Sequence, residues 1–322
     1  MISLDASFQS PTQEYVAEAA SRAKPLEGGL STSPRNLAIE VEGRSYVLHM
    51  ADPKNSIEAS DYELHMMIQT GQLGVAPKVF AYDPDKRWAI MEFVKAPTIT
   101  PQIASGHAQE IGEALKKAHE TPLYEKKGKG FVAAHRERWQ EISEKSAKYN
   151  TELSRSLWEI GAKANQVFEE SIQELEALPS NRVANIHTDL HPRNLFWADK
   201  QFLIIDWESS CHGHPYFDLA SLTIFLGLDE GEEKDLLLGY FGRTPTQEEM
   251  KEYLLLRKIR WAYTAIVNTM WTYRILNPES ACREIPATEK SFRDHMQSFG
   301  SYENIDYLDF FVQVSRISYE KI

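Results

Sequence analysis

Short apolar runs broken by turn-forming residues dominate the first 95 positions. Residues 26–30, 36–41, 45–50, 78–82 and 88–94 carry the β-branched and aromatic content of strands. Glu42-Gly43-Arg44 predicts a tight reversal between the second and third, and Asp83-Pro84-Asp85 one between the fourth and fifth. Between these groups Ile57, Leu64, Met67 and Ile68 recur near helical spacing, so a helix is expected from about Ser56 to Gln72, ended by Gly71 and Gly74. A further short amphipathic helix is expected over residues 12–23.

After the linker-like block Ala96-Pro97-Thr98-Ile99-Thr100-Pro101 the pattern becomes helical, with Thr100 as N-cap and Pro101 at the first helical position. Helices are expected over residues 101–119, 133–147, 151–177, 215–227, 231–241, 247–276 and 286–299, interrupted by a β-rich insert at 195–197 and 202–205. The reading is an α+β chain in two units: a small β-rich lobe (1–95) and a larger, mainly helical lobe (96–322). A ligand cleft is expected between them.

Composition changes this picture only by exclusion. The chain has 322 residues, 42% hydrophobic and 25% charged, which is ordinary for a folded protein. Its net charge of -12 argues against a sequence-independent grip on nucleic acid and suits a cationic small molecule better. No run of about 18 apolar residues predicts a membrane span. Residues 1–23 carry Asp5, Glu14 and Glu18 and lack the pattern of a signal peptide. Cys211 and Cys282 form neither a disulfide framework nor a zinc motif, so a reducing, cytoplasmic setting is expected.

The chemistry concentrates in Asn185-Ile186-His187-Thr188-Asp189-Leu190-His191-Pro192-Arg193-Asn194, followed by Ile204-Ile205-Asp206-Trp207-Glu208. Pro192 and the packed polar residues indicate a loop, and the flanking apolar runs fix it at the ends of buried strands. Phosphoryl transfer needs an aligned hydroxyl and divalent cations that neutralise charge on the moving phosphate. An Asp that accepts the hydroxyl proton, an Asn five positions on and a second Asp after a short hairpin supply those parts. Singly, Asp189 reads as a turn former and Asn194 as a cap; together and in order they read as a site. His187 and His191 read as loop-bonding residues. Their spacing, in a Pro-containing loop without a third ligand, implies no zinc.

The order H-x-D-x-x-x-x-N, then Ile-Asp-Trp-Glu, then Phe217-Asp218-Leu219-Ala220 resembles the aminoglycoside phosphotransferase and choline kinase superfamily, which has the protein-kinase-like fold. The resemblance implies ATP and Mg2+ as cofactors, Asp189 as catalytic base with His187 shaping the loop, Asn194 and Asp206 as magnesium ligands, and Asp218 as a support. It extends to the first lobe. Gly28-Gly29-Leu30-Ser31-Thr32-Ser33 lies where the family's phosphate loop belongs, with Gly29, Ser31 and Thr32 as contacts, although a plain hairpin turn fits the same residues. Glu63 stands where the acidic partner of a cationic strand residue is kept, but the expected Lys or Arg is His49. Either nucleotide affinity is weakened, Lys54 substitutes, or activity is changed. Met91, Glu92, Phe93 and Val94 correspond to the hinge that reads adenine. His119, in Leu115-Lys116-Lys117-Ala118-His119, reads as a structural cap.

For the acceptor, Glu208 is a candidate contact for an ammonium or a second magnesium. Trp261 and Trp271 share a helical stripe with Asn268, beside a stripe of Tyr263, Met270 and Tyr273. Aromatic faces next to carboxylates attract an ammonium, and Ile-Asp-Trp-Glu is particularly like bacterial choline kinases. The expected reaction is therefore phosphorylation of choline or a related amino alcohol. Thiamine and aminoglycoside kinases share the loop and remain alternatives, as does a catalytically silent relative. A protein kinase is disfavoured, because Phe217-Asp218 follows Asp206 too closely for a peptide-docking loop.

Overall fold

Short apolar runs bounded by turn residues at 36–50 and 79–92 supply most of an antiparallel sheet. In the computed structural model, which describes residues 24–25, 36–41, 43–125, 130–301 and 305–322, β1 (Lys24–Pro25), β2 (Asn36–Val41), β3 (Arg44–Met50), β4 (Val79–Asp83) and β5 (Trp88–Glu92) form one sheet in the order β1-β2-β3-β5-β4. Every pairing is antiparallel. Leu37, Ile39, Leu48, Ala81 and Ile90 form its small core. The expected helix over 12–23, the strand over 26–30 and the phosphate-loop residues Gly29, Ser31 and Thr32 lie outside the described residues.

Helix α1 (Ile57–Gln72) crosses behind the sheet, its Ser56 side chain accepting from the Ala59 N–H. It is the joint between lobes. Its Tyr62, 1% exposed, donates to Asn185 Oδ1 at 2.7 Å, and the Val75 carbonyl just beyond it accepts from Ile204 N–H at 2.9 Å.

The second lobe holds α2 (Pro101–Ala104), α3 (Ala108–His119), α4 (Phe131–Ser146), α5 (Glu152–Glu176), α6 (Tyr216–Phe225), α7 (Glu230–Phe241), α8 (Gln247–Ile275), α9 (Phe292–Gly300) and α10 (Tyr307–Glu320). Its spine is α8, 29 residues started by a capping box of Thr246 and Glu249 and packed against α4, α5, α6 and α10. Helices α3 and α7 cross at backbone contact: a Cβ on Gly239 would lie 2.0 Å from Gln109 O, and one on Gly112 2.2 Å from Leu236 O. Two small strand pairs complete the lobe: β6 (Ala184–Ile186) pairs with β9 (Cys211–Gly213), and β7 (Leu195–Ala198) with β8 (Gln201–Ile204).

The fold is the expected small sheet lobe plus helical lobe, with four local corrections. The expected helix over 101–119 breaks into α2 and α3, because Gly106 takes a left-handed φ of 86°. The helix expected from 286 starts at 292, where Ser291 caps it. The paired β6 and β9 were not anticipated, since three residues carry no periodicity. Helix α10 was not anticipated either. No helix among the described residues is long and apolar enough to cross a membrane.

Candidate active site

Strand β6 delivers the chain into the loop 187–194, and the hairpin β7–β8 returns it to Asp206, so the two polar segments lie side by side. A buried carboxylate organises them. Asp218, on the first turn of α6, accepts the His187 N–H at 2.6 Å and the Thr188 N–H at 2.8 Å. His119 Nε2 meets the same carboxylate at 3.2 Å, and its Nδ1 meets the Tyr240 hydroxyl at 2.9 Å. Burial opposes ionisation of Asp218, but the bond and charge of His119 and the loop N–H groups outweigh it and hold the carboxyl below its ordinary range. His119, read from sequence as a cap, is thus a brace between α3 and α6.

His187 ties the two segments together. Its Nε2 faces the Ile205 carbonyl at 2.8 Å and therefore carries the proton; its Nδ1 accepts from the Asp189 N–H at 3.2 Å. Burial pushes its pKa down, which agrees with a neutral ring that fixes geometry. Thr188 and Asp206 both adopt left-handed backbone, φ 68° and 66°, costing about 1 kcal/mol each for non-glycine residues. The Asp218 bond to Thr188 N–H and the Thr188 hydroxyl bond to Ser209 O restrain the first of these.

On this platform Asp189 is half-exposed to the cleft, with His191 Nε2 3.6 Å from its carboxylate. Burial opposes ionisation, but nearby positive charge, that of the Arg260 and Arg138 guanidiniums included, outweighs it and holds the carboxyl below its ordinary range. Asn194 donates its Nδ2 to Asp189 O at 3.0 Å, which leaves Oδ1 as a coordinating atom. The backbone of Asn194 also accepts from Ile205 N–H at 3.0 Å, setting Asp206 beside it. Desolvation at the cleft floor, then the charges of Glu208, Asp189 and Glu63, push the Asp206 carboxyl up to about 7. Negative charge gathered this way suits a divalent cation. Among the described residues no three Asp, Glu, His or Cys side chains form a ready-made metal cage.

Across the cleft His49 and Glu63 meet as the sequence implied. His49 Nε2 lies 2.9 Å from Glu63 Oε1, and its Nδ1 2.8 Å from Asn36 Oδ1; both residues are buried. The ring thus stands beside a carboxylate at the site of the expected Lys or Arg. Lys54 is exposed on the turn before α1 and makes no contact of this kind among the described residues. Met91 and Glu92 end β5, and Phe93 and Val94 continue past the strand into the connection between lobes. Glu208 sits in the turn Trp207–Ser209, two residues beyond Asp206.

The tryptophans, expected to wall an ammonium pocket, each stand against a ring of a later helix. Trp261 lies edge-on to Phe292, centroids 4.9 Å apart, in the contact between α8 and α9. Trp271 has the Arg274 guanidinium 4.8 Å from its ring and stacks on Phe311 of α10. Helix α10, absent from the sequence reading, supplies the ring that meets Trp271, whereas Trp261 borders a cavity lined also by Glu233, Arg257, Lys258 and Arg293. Asn268 is buried and donates to Thr264 O. Sequence reasoning also passed over Arg260 and Arg138, although an arginine inside the apolar run Ile259-Arg260-Trp261-Ala262-Tyr263 was a signal available to it.

A protein-kinase-like scaffold with an Asp, an Asn and a second Asp on its cleft floor defines a phosphotransferase that acts on hydroxyl acceptors. The chain matches the phosphotransferase enzyme family over residues 22–253 and belongs to it. Protein LicA of Haemophilus influenzae is 21% identical over 246 residues, covering 74% of this chain and 86% of LicA. Among solved structures, a choline/ethanolamine kinase family protein from Mesorhizobium loti superposes with a TM-score of 0.60 at 18% identity, over 95% of this chain and 100% of that one. A LicA structure in complex with AMP gives 0.57 at 16% identity, over 97% and 98%.

Proposed function

We propose that the chain is an ATP- and magnesium-dependent kinase that moves a γ-phosphoryl group onto the hydroxyl of a small amino alcohol of the choline type. The convergence of Asp189, Asn194 and Asp206 on one cleft floor, braced by His187 and Asp218, carries this reading. Asn194 Oδ1 and the Asp206 carboxylate would hold the magnesium, with phosphate oxygens and water completing its shell. When bound, that ion neutralises charge on the phosphates. Asp189, ionised and turned to the cleft, orients the acceptor hydroxyl and takes its proton as the oxygen bonds to phosphorus. His49 and Glu63 anchor the nucleotide side of the cleft, and residues 91–94 lie where the adenine edge would be read.

The amino-alcohol acceptor is supported by the choline and ethanolamine kinases among the relatives and by the acidic floor. With Trp261 and Trp271 engaged elsewhere, Glu208 is the group left to receive an ammonium. The free thiols Cys211 and Cys282 suit a reducing, cytoplasmic setting. The test is magnesium-dependent ADP release over choline, ethanolamine, thiamine and aminoglycosides, with Asp189→Ala as control. Turnover of an amino alcohol that Asp189→Ala lowers at least 100-fold is expected; ADP release indifferent to Asp189→Ala would refute the assigned base.

A further inference from the structure

The catalytic loop is tied down at its two ends by different elements. At the near end Asp218 takes the N–H groups of His187 and Thr188. At the far end Arg193, between Asp189 and Asn194, reaches to α9 and α10. It is 7% exposed; its Nε donates to the Phe299 carbonyl at 2.7 Å and its Nη1 to the Tyr307 hydroxyl at 3.1 Å. Its guanidinium carbon lies 4.0 Å from the centre of the Phe299 ring. A planar guanidinium held by two directed bonds and a ring face is fixed in orientation as well as in place.

The contact is wider than one side chain. His191 stands edge-on to the Phe299 ring, centroids 5.4 Å apart. A Cβ on Gly300 would lie 2.9 Å from Pro192 Cβ, so the end of α9 rests directly on the turn Pro192–Asn194. Thr98 donates to Gly300 O at 2.6 Å, and Ile99 N–H to Leu195 O at 2.7 Å, which joins the connection between lobes to the same place. Pro192 has no N–H to give, and the turn closes through Asn194 N–H to His191 O at 2.9 Å and Leu195 N–H to Pro192 O. What the turn carries is Asn194, whose side chain donates to Asp189 O and whose carbonyl accepts from Ile205 N–H. A shift of the turn therefore disturbs Asp189, Asn194 and Asp206 together.

We infer that Arg193 is a positioning residue for phosphoryl transfer, the tie through which α9 and α10 hold Asp189 and Asn194 in register with Asp206. This rests on the kinase reading above and extends it: α9 and α10 lie beyond the span 22–253 that matches the family, yet the cleft floor is anchored on them. A displacement of about 1 Å at a reacting group costs about 100-fold in rate. Because Arg193 is buried against Phe299 and Tyr307, its loss belongs in kcat and not in the affinity for either substrate.

Arg193→Met keeps an unbranched side chain and removes every donor. In magnesium-dependent ADP release it should lower kcat about 10- to 100-fold and leave KM for acceptor and ATP within about threefold. The magnesium concentration at half-maximal rate should rise, because Asn194 is the next residue. Amide-resolved hydrogen exchange on the full chain reads the same tie without turnover. The N–H groups of Asn194, Leu195 and Ile205 should exchange about tenfold faster in Arg193→Met, while His187 and Thr188 keep the protection that Asp218 gives them. Tyr307→Phe removes one acceptor only and carries the test if Arg193→Met does not fold, with kcat about 3- to 10-fold down. A kcat within about twofold of wild type in the folded variant, or faster exchange spread over the whole chain, overturns the inference and leaves the kinase reading standing. A wild-type chain that releases no ADP from any acceptor removes the kinase reading; faster exchange at the three amides then upholds the tie, and unchanged exchange overturns it.

Discussion

Asp218 never faces the substrate, yet it determines where Asp189 stands. Its two oxygens take the N–H groups of His187 and Thr188 and meet His119, all within 3.2 Å. Replacing it with Asn leaves His119 facing a neutral amide and turns one acceptor into a donor against a backbone N–H. We expect Asp218→Asn to lose about 3 kcal/mol at pH 7 and most of its turnover. Because the folded pKa lies below the ordinary 3.8, the carboxylate's contribution is fully present above that value and fades as pH falls through it toward the folded value. Urea unfolding at pH 7 and near pH 3 should therefore show a gap between wild type and variant that narrows in acid; a constant gap would assign the loss to shape alone. The sequence motif named Asp189, Asn194, Asp206 and Asp218, because their spacing is local. It did not show the partners of His119, whose bracing contacts join helices far apart in the chain.

At the scale of elements, boundaries were legible wherever caps and glycines mark them. Thr100, Thr151, Asp229 and Thr246 each accept a backbone N–H at a helix start close to the expected one, whereas Ser291 caps a helix that had been expected from 286. Gly106 was the exception: an interior glycine in an otherwise helical pattern reads as tolerated, and only its φ of 86° shows the break. The α3–α7 crossing depends on glycines that no pattern identifies. A Cβ on Gly239 would press against the Gln109 backbone, which cannot rotate away as a side chain would. We expect Gly239→Ala to cost about 2–3 kcal/mol and to lower the melting temperature by several degrees. An unchanged melting curve would mean that the helices slide apart freely.

The whole molecule works as two lobes joined by few polar links, among them Tyr62 to Asn185 and Val75 to Ile204. A nucleotide bridging the cleft adds contacts to both lobes. At a hundredfold excess over its Kd, AMP-PNP with magnesium should stabilise the fold by about 2.7 kcal/mol, read as a rise in melting temperature. Asp189→Ala should retain this shift while losing turnover; loss of the shift as well would make Asp189 a structural residue. The sequence by itself determined the two-lobed class, most of the longer elements and the linked Asp189, Asn194 and Asp206 motif, because hydrophobic period, caps and a contiguous motif are local signals. Tertiary structure decided the surroundings of the tryptophans: Trp261 meets Phe292 of α9 and Trp271 meets Phe311 of α10, contacts between residues distant in the chain that no local pattern carries.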